Sequence, residues 1–238
     1  MTEPAELYRE SALYAMLFRE RSADVDFYRG VAREHPGPIL ELGCGDGRVA
    51  LALVDDGHDV TGVDRSTEML AALEARRGDR SIAIHEGDMR TVRLGRRFGL
   101  VIAPFNAFAH LVTHEDRVAF FETVAAHLAP GGTLVFDVTI PDPELLTGGV
   151  SFVPRVEHPR TGAICRLEEH TAYDAADEVL TIETRLVERE TGETQVLSLR
   201  LRQWYPSQTE RMLEGHGFRV VGRSAAIGDS LAYLCQLR

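Results

Sequence analysis

Ile39-Leu40-Glu41-Leu42-Gly43-Cys44-Gly45-Asp46-Gly47 decides the fold of this chain. A short strand-like run, 39–42, enters three alternate glycines, and a helical stretch, 48–55, follows at once. Glycine is needed where the backbone bends sharply, often with positive φ, and where a ligand must approach the main chain without meeting a Cβ. The helix N-terminus beyond it offers backbone N–H groups and the positive end of a dipole. A charged or nucleotide-like ligand is therefore expected at this turn.

Outward from the turn, the alternation continues with a strand at 58–63, a helix at 67–76, and strands at 81–85 and 100–104. A helix at 115–128, closed by Pro130-Gly131-Gly132, leads to a strand at 133–138. Strands that alternate with helices imply an α/β, doubly wound, mostly parallel sheet with helices on both faces. Upstream, 1–34 reads as one or two helices ended by His35-Pro36-Gly37-Pro38. From about residue 151 to 205 the pattern changes to three β-rich runs, 163–173, 179–190 and 194–205. Alternation in Leu180, Ile182, Thr184 and Leu186, and in Val196, Ser198, Arg200 and Arg202, suggests antiparallel strands with one wet face. A helix at 208–214 and strands at 219–225 and 231–237 resemble closing elements of the first sheet. The expected organisation is a helical leader at 1–34, an α/β core at 35–145, an antiparallel β insertion after the fifth strand at 146–205, and closing elements at 206–238.

The 238 residues carry 26 basic and 37 acidic side chains for a net charge of −11, and every basic one is arginine. With no lysine, a Schiff-base lysine, a lysine general base and a Gly-Lys-Ser/Thr phosphate loop are excluded. The acidic balance argues against a nucleic-acid partner, which needs concentrated positive charge. Arg76, Arg77, Arg80, Arg90, Arg93, Arg96 and Arg97 fall close together, but Glu74, Asp79, Glu86 and Asp88 are interspersed, as on a solvated surface. Cys44, Cys165 and Cys235 have neither zinc spacing nor an even count for a disulfide framework, so no metal is expected and a reducing compartment fits. The acidic start and the lack of a run of ~18 apolar residues give the expectation of a cytoplasmic protein without a membrane partner.

Position 48, where a dinucleotide fingerprint wants its third glycine, holds Arg48, which disfavours a dinucleotide-dependent dehydrogenase. Glu41, just ahead of the turn, is a poor neighbour for a pyrophosphate and a good one for an ammonium group. Asp64 ends the second strand 17 residues after Gly47, near the spacing of about 20 at which a carboxylate receives ribose hydroxyls. Asp88, in Glu86-Gly87-Asp88-Met89, adds an acceptor for an exocyclic amino group. The three carboxylates describe a ligand with an amine, a ribose and an adenine.

Five segments in order, ELGCGDG at 41–47, TGVDRSTEML at 61–70, EGDM at 86–89, LVIAPFNAF at 100–108 and LAPGGTLVFDV at 128–138, resemble a class I S-adenosylmethionine-dependent methyltransferase. The resemblance covers most of 36–140 and the closing elements. It implies a Rossmann-like seven-stranded sheet and S-adenosyl-L-methionine as cofactor. It places Glu41 toward the methionine amino group, Gly43, Cys44 and Gly45 along the cofactor, and Asp64 at the ribose hydroxyls, with Arg65 among the cofactor-binding residues. Asp88, Met89 and Phe105 complete the implied cofactor set.

Methyl transfer requires an acceptor in line with the S–CH₃ bond, so positioning can supply much of the catalysis. His110 follows the fourth strand at its carboxyl end and is the candidate base, with His114 second; the alternative for His110 is a capping or half-buried structural histidine. The 104–110 stretch is similar to that of aminodeoxysugar N-methyltransferases, which carry a histidine there and a long antiparallel insertion. By the same comparison Tyr14 belongs to a lid formed by 1–34, its alternative being a core aromatic on an amphipathic stripe. Trp204 and Tyr205 line the acceptor pocket or pack, and Asp46 and Arg48 read as turn and first-helix residues. The stretch 137–193 holds 13 acidic residues against 5 arginines, a balance that favours a cationic amine or marks a solvated outer face.

The resulting expectation is methyl transfer to a small-molecule acceptor, an amine nitrogen, by an enzyme that forms a homodimer through the insertion. The alternatives are an O- or C-methyltransferase of a secondary metabolite and a catalytically silent cofactor-binding module on the same fold.

Overall fold

The structure, a computed structural model, describes residues 5–238; the first four residues of the leader lie outside the described residues. The described residues begin with β1 (Ala5–Glu6), a 3₁₀ turn (Leu7–Arg9), α1 (Ser11–Phe18) and α2 (Ala23–Glu34). It continues through β2 (Ile39–Leu42), α3 (Arg48–Asp55), β3 (Val60–Asp64), α4 (Thr67–Arg77), β4 (Ala83–Glu86) and β5 (Phe98–Ala103). A 3₁₀ turn (Ala107–His110), α5 (His114–His127), β6 (Leu128–Thr139) and α6 (Pro143–Leu146) follow. The last elements are β7 (Gly149–Glu157), β8 (Ile164–Asp174), β9 (Val179–Glu188), β10 (Thr194–Arg202), α7 (Pro206–Gly215), β11 (Phe218–Ile227) and β12 (Ser230–Leu237). Among the described residues no helix is long and apolar enough to cross a membrane.

Two compact units share these elements, one made of 21–140 with 204–238 and the other of residues up to 20 with 141–203. In the larger unit a seven-stranded sheet runs β11-β12-β6-β5-β2-β3-β4. The ladders from β6 through β5, β2 and β3 to β4 are parallel, while β12 pairs antiparallel with both β6 and β11. This is the doubly wound α/β sheet anticipated from the alternation. All four residues of β2 are buried, as expected for a strand covered on both faces, and Glu41 is carried inside with its apolar neighbours. Ile39, Val60, Leu100, Ile102 and Val135 form the core with Val49, Leu53 and Leu73 from α3 and α4. Each such side chain contributes about 1.5–3 kcal/mol on leaving water. Phe108 anchors an aromatic cluster with Phe120, Phe121, Phe136 and Trp204, its ring centroid lying 4.9–5.6 Å from theirs.

The smaller unit is a five-stranded sheet of order β1-β10-β9-β8-β7, antiparallel except where β1 lies parallel to β10. Its N-terminal segment is tied in by Glu10, which takes Arg160 and the Gln195 side-chain amide, each at 2.9 Å. The leader is thus divided, with residues up to 20 packing in this sheet and Arg21–Glu34 in the larger unit. The sequence reading has three strands here and misses β7, an edge strand that contains Pro154 and has a register shift between Val153 and Val156. A proline and a broken alternation hide a strand of this kind from pattern reading.

The arginine run of the larger unit is paired. Arg76 meets Asp46, Arg77 meets Glu74, Arg80 meets Asp55, Arg90 meets Asp88 and Asp116, and Arg96 meets Asp59. Arg93 bonds to Thr123 Oγ1, and Arg97 to the carbonyls of Ala125 and Leu128.

Candidate functional site

The turn between β2 and α3 has the backbone its glycines imply, with φ of 79° at Gly43, 54° at Gly45 and 81° at Gly47. Gly43 and Cys44 both donate to the Val63 carbonyl, at 2.8 and 3.0 Å, so the turn is pinned to the end of β3. At Gly47 an added Cβ would fall 2.1 Å from Leu73 Cδ1, so this glycine admits α4. At Gly43 it would fall 3.2 Å from the Ala107 Cβ, which brings the turn beside the loop after β5. Cys44 packs inward against Gly62, and burial raises its thiol pKa.

Three carboxylates stand at or just beyond the carboxyl ends of β2, β3 and β4, held by different means. Glu41 is 2% exposed and its Oε2 has no hydrogen-bond partner. Burial pushes its carboxyl well up; Arg48 opposes the rise, and Asp64, Asp24 and Asp46 reinforce it. Asp64 accepts the backbone N–H of Gly45 at 2.8 Å through Oδ2 and that of Ser66 at 2.9 Å through Oδ1. Desolvation raises its pKa and these two donors pull it back. Asp88 is held by the Arg90 guanidinium, which also reaches Asp116 at 2.5 Å, and the Arg90 contact keeps its carboxyl low.

A buried framework that the sequence reading misses supports the loop after β5. Phe105 and Asn106 both have positive φ, 53° and 60°, a costly conformation for a phenylalanine. Asp137, fully buried in β6, accepts the N–H of Phe105 at 2.8 Å, that of Asn106 at 3.1 Å, and the Tyr28 hydroxyl at 2.7 Å. Asn106 Oδ1 in turn accepts the Thr139 N–H at 3.1 Å. The Phe105 ring lies under the guanidinium groups of Arg21 and Arg48, 4.6 and 5.0 Å from its centroid. Arg48 makes a two-pronged contact with the fully buried Asp24, each bond 2.6 Å. One signal was legible: Asp137 interrupts the apolar run Leu134-Val135-Phe136-Val138, as Asp24 interrupts the apolar positions of α2.

His110 ends the 3₁₀ turn beyond this loop, half-buried, and burial with the nearby Arg65 lowers its pKa to about 4. Arg65 is exposed beside Asp64, and Met89 is half-buried beside Asp88. His114 opens α5 with its ring 6.3 Å from that of His216. Trp204 packs against Phe108 and beneath Arg117, as a core aromatic does, while Tyr205 is exposed. Tyr14 belongs to the smaller unit, buried with its ring against Tyr8 and Phe18.

The carboxyl ends of β2, β3 and β5 and the segment after β4 therefore assemble one site in the larger unit, with a side-chain-free glycine turn, an unpartnered buried carboxylate oxygen and a second carboxylate at the end of β3. Chemically, this arrangement suits a ribose-bearing ligand that carries a cationic group. S-adenosylmethionine has both parts, and the orphan Glu41 oxygen fits its ammonium group.

Comparison with known proteins agrees. Residues 39–132 match the methyltransferase-domain family. The chain is 32% identical over 187 residues to a dTDP-3-amino-3,6-dideoxy-alpha-D-glucopyranose N,N-dimethyltransferase of Streptomyces fradiae, covering 74% of this chain and 68% of the relative. It is 32% identical over 154 residues to the cypemycin N-terminal methyltransferase of a Streptomyces species, covering 63% of this chain and 62% of that relative. The latter match spans less than two thirds of the relative's length. An S-adenosylmethionine-dependent methyltransferase of Clostridium acetobutylicum shares the fold, with a TM-score of 0.81 at 18% identity over 96% of this chain and 98% of that one. The chain belongs to the S-adenosylmethionine-dependent methyltransferases.

Proposed function

We propose that this protein methylates an amine nitrogen of a small molecule. The observation that carries the reading is the unpartnered Glu41 oxygen at the glycine turn, with His110 on the 3₁₀ turn that follows β5. The names of the two relatives, a dTDP-aminosugar N,N-dimethyltransferase and the cypemycin N-terminal methyltransferase, support nitrogen as the acceptor. When bound, the cofactor supplies an electrophilic methyl group on a sulfonium.

The chain's own residues supply binding and orientation. Glu41 takes the ammonium group, Asp64 with Arg65 the ribose edge, and Asp88 with Met89 the adenine. The glycines at 43 and 45, with Cys44 turned inward, let the main chain close on the ligand, and Phe105 holds the facing loop. His110 stays neutral at physiological pH, so its lone pair accepts the N–H of the acceptor amine and turns the nitrogen lone pair toward the methyl group. With a pKa near 4 it orients better than it abstracts, and the proton lost after transfer passes to water.

We assign the leader up to residue 20, with Tyr14, a lid role, and 146–205 a role in acceptor choice and homodimer formation, in a cytoplasmic enzyme that uses neither nucleic acid nor membrane; Arg21–Glu34 is core of the larger unit and has no part in the lid. Supporting this are the surplus of carboxylates in 137–193 and the exposed apolar side chains of the edge strand β7. Incubation with S-adenosylmethionine and a panel of amines, phenols and acids, with mass detection of methylated product and S-adenosylhomocysteine, tests the acceptor class; product only from phenols or acids overturns it. Sedimentation showing only monomer at micromolar concentration would retire the dimer.

A further inference from the structure

Glu41 lies in a strand buried on both faces, and a carboxylate in such a place must be paired or give up its charge. The charged and titratable groups that act on it are Arg48 of α3, Asp64 at the end of β3, Asp46 and Cys44 in the glycine turn, and Asp24 and Tyr28 of α2, while the paired strand β5 sets Ile102 beside it. Arg48 is the one cation in that set, and both of its terminal nitrogens are committed to Asp24 at 2.6 Å. The remaining neighbours are neutral or acidic, and Glu41 Oε2 has no hydrogen-bond partner. A charged Glu41 would stand desolvated among carboxylates.

We propose that Glu41 is protonated in the ligand-free protein and loses its proton to solvent when the cationic amino group of the cofactor arrives, so that cofactor uptake is proton-linked. This rests on the assignment of the glycine turn to S-adenosylmethionine. The O–H bond of the carboxyl breaks with its electron pair kept on oxygen. The ammonium keeps its three hydrogens, and no bond of the cofactor changes. The ion pair then forms only in the bound state, where each charge satisfies the other. The upward push of burial on the Glu41 carboxyl agrees with this order of events.

Calorimetric titration of S-adenosylmethionine into the full chain, in buffers of different ionisation enthalpy at about pH 6.5, counts the protons. That pH lies below the ~8 at which an α-amino group titrates, so the ligand stays cationic. The wild type is expected to release a proton on binding, with affinity rising up to about tenfold per pH unit until free Glu41 ionises. Glu41→Gln is expected to bind about tenfold or more weaker, for loss of a charge-assisted contact, and to release no proton. Wild-type binding without proton release, or the same release from Glu41→Gln, overturns the inference. No binding by the wild type overturns the cofactor assignment and the inference with it. Should Glu41→Gln fail to fold, infrared difference spectra of the wild type decide, because a protonated-carboxyl band must vanish on binding, and a band that stays refutes the idea.

Discussion

Asp64 Oδ2 accepts the backbone N–H of Gly45 at 2.8 Å, so the residue assigned to the ribose also sets the shape of the glycine turn. Its other oxygen holds Ser66 N–H at the start of α4. Asp64→Ala leaves both donors without their acceptor and is expected to cost about 1–3 kcal/mol of stability as well as cofactor binding. Asp64→Asn keeps one acceptor oxygen and should lose less stability than binding. Urea melts beside isothermal titration check this; equal losses in both variants would show that Asp64 serves the turn alone.

Gly47 makes a sharper steric case. Its φ of 81° disfavours any side chain, and a Cβ would lie 2.1 Å from Leu73 Cδ1, a side chain with no freedom to leave the core. Gly47→Ala is expected to destabilise by about 2–4 kcal/mol, from backbone strain of about 1 kcal/mol and overpacking of about 1–3 kcal/mol. Gly57, with φ 89° and open space around it, is the control, and its alanine variant should pay only for the backbone. Denaturant midpoints for the two variants that coincide would remove Leu73 from the account.

Much of this was legible in order and spacing. Ile39–Leu42, the three glycines and Asp64 declare themselves because strand ends, positive φ and ligand contact all restrict residue type locally. Asp24 and Asp137 show only as polar breaks in apolar patterns and Tyr28 not at all, since they act by meeting Arg48, Phe105 and Asn106 across long separations, and single-sequence patterns carry no pairing information. The same reason divides the leader: an amphipathic stripe shows that α1 and α2 bury a face, but not which sheet receives it. β7 escaped because an edge strand with Pro154 and exposed Val150 and Phe152 lacks the alternation of a strand with one buried face.

Asp137 is the residue on which the strained Phe105–Asn106 loop depends. Asp137→Asn replaces one acceptor oxygen by a donor, so the N–H of Phe105 or of Asn106 loses its partner. A loss of about 1–3 kcal/mol in stability is expected, with a rise in the KM for S-adenosylmethionine. Steady-state kinetics at saturating acceptor provide the measurement; an unchanged KM would confine Asp137 to the core.

His110 gives a pH signature. With a pKa lowered to about 4 it is neutral through the physiological range, and the acceptor role proposed for it would be lost only as pH falls through that value. The rate should therefore show no inflection near 6.5 that vanishes in His110→Ala. The variant itself should turn over about 10- to 100-fold more slowly at every pH above about 5. A His110-dependent inflection near 6.5 would mean that the imidazole is more exposed to water than its surroundings imply, and would restore it as a general base.

Glu41 links the site to stability. Its folded pKa is raised above the ~4.3 of an exposed glutamate, so the unfolded chain ionises first as pH rises. Below about pH 4 both states are protonated and nothing is lost. Above it, the folded state falls in stability by up to about 1.4 kcal/mol per pH unit until folded Glu41 ionises. Glutamine has no proton to lose, so Glu41→Gln should be more stable than the wild type at about pH 7.5, by a margin that shrinks toward pH 4. Saturating S-adenosylmethionine should reverse the order, since only the wild type offers the ammonium a charge. Urea unfolding of both proteins at the two pH values, with and without cofactor, tests both halves. A variant less stable than the wild type at pH 7.5 without ligand would show that Glu41 is already ionised and compensated in the free protein.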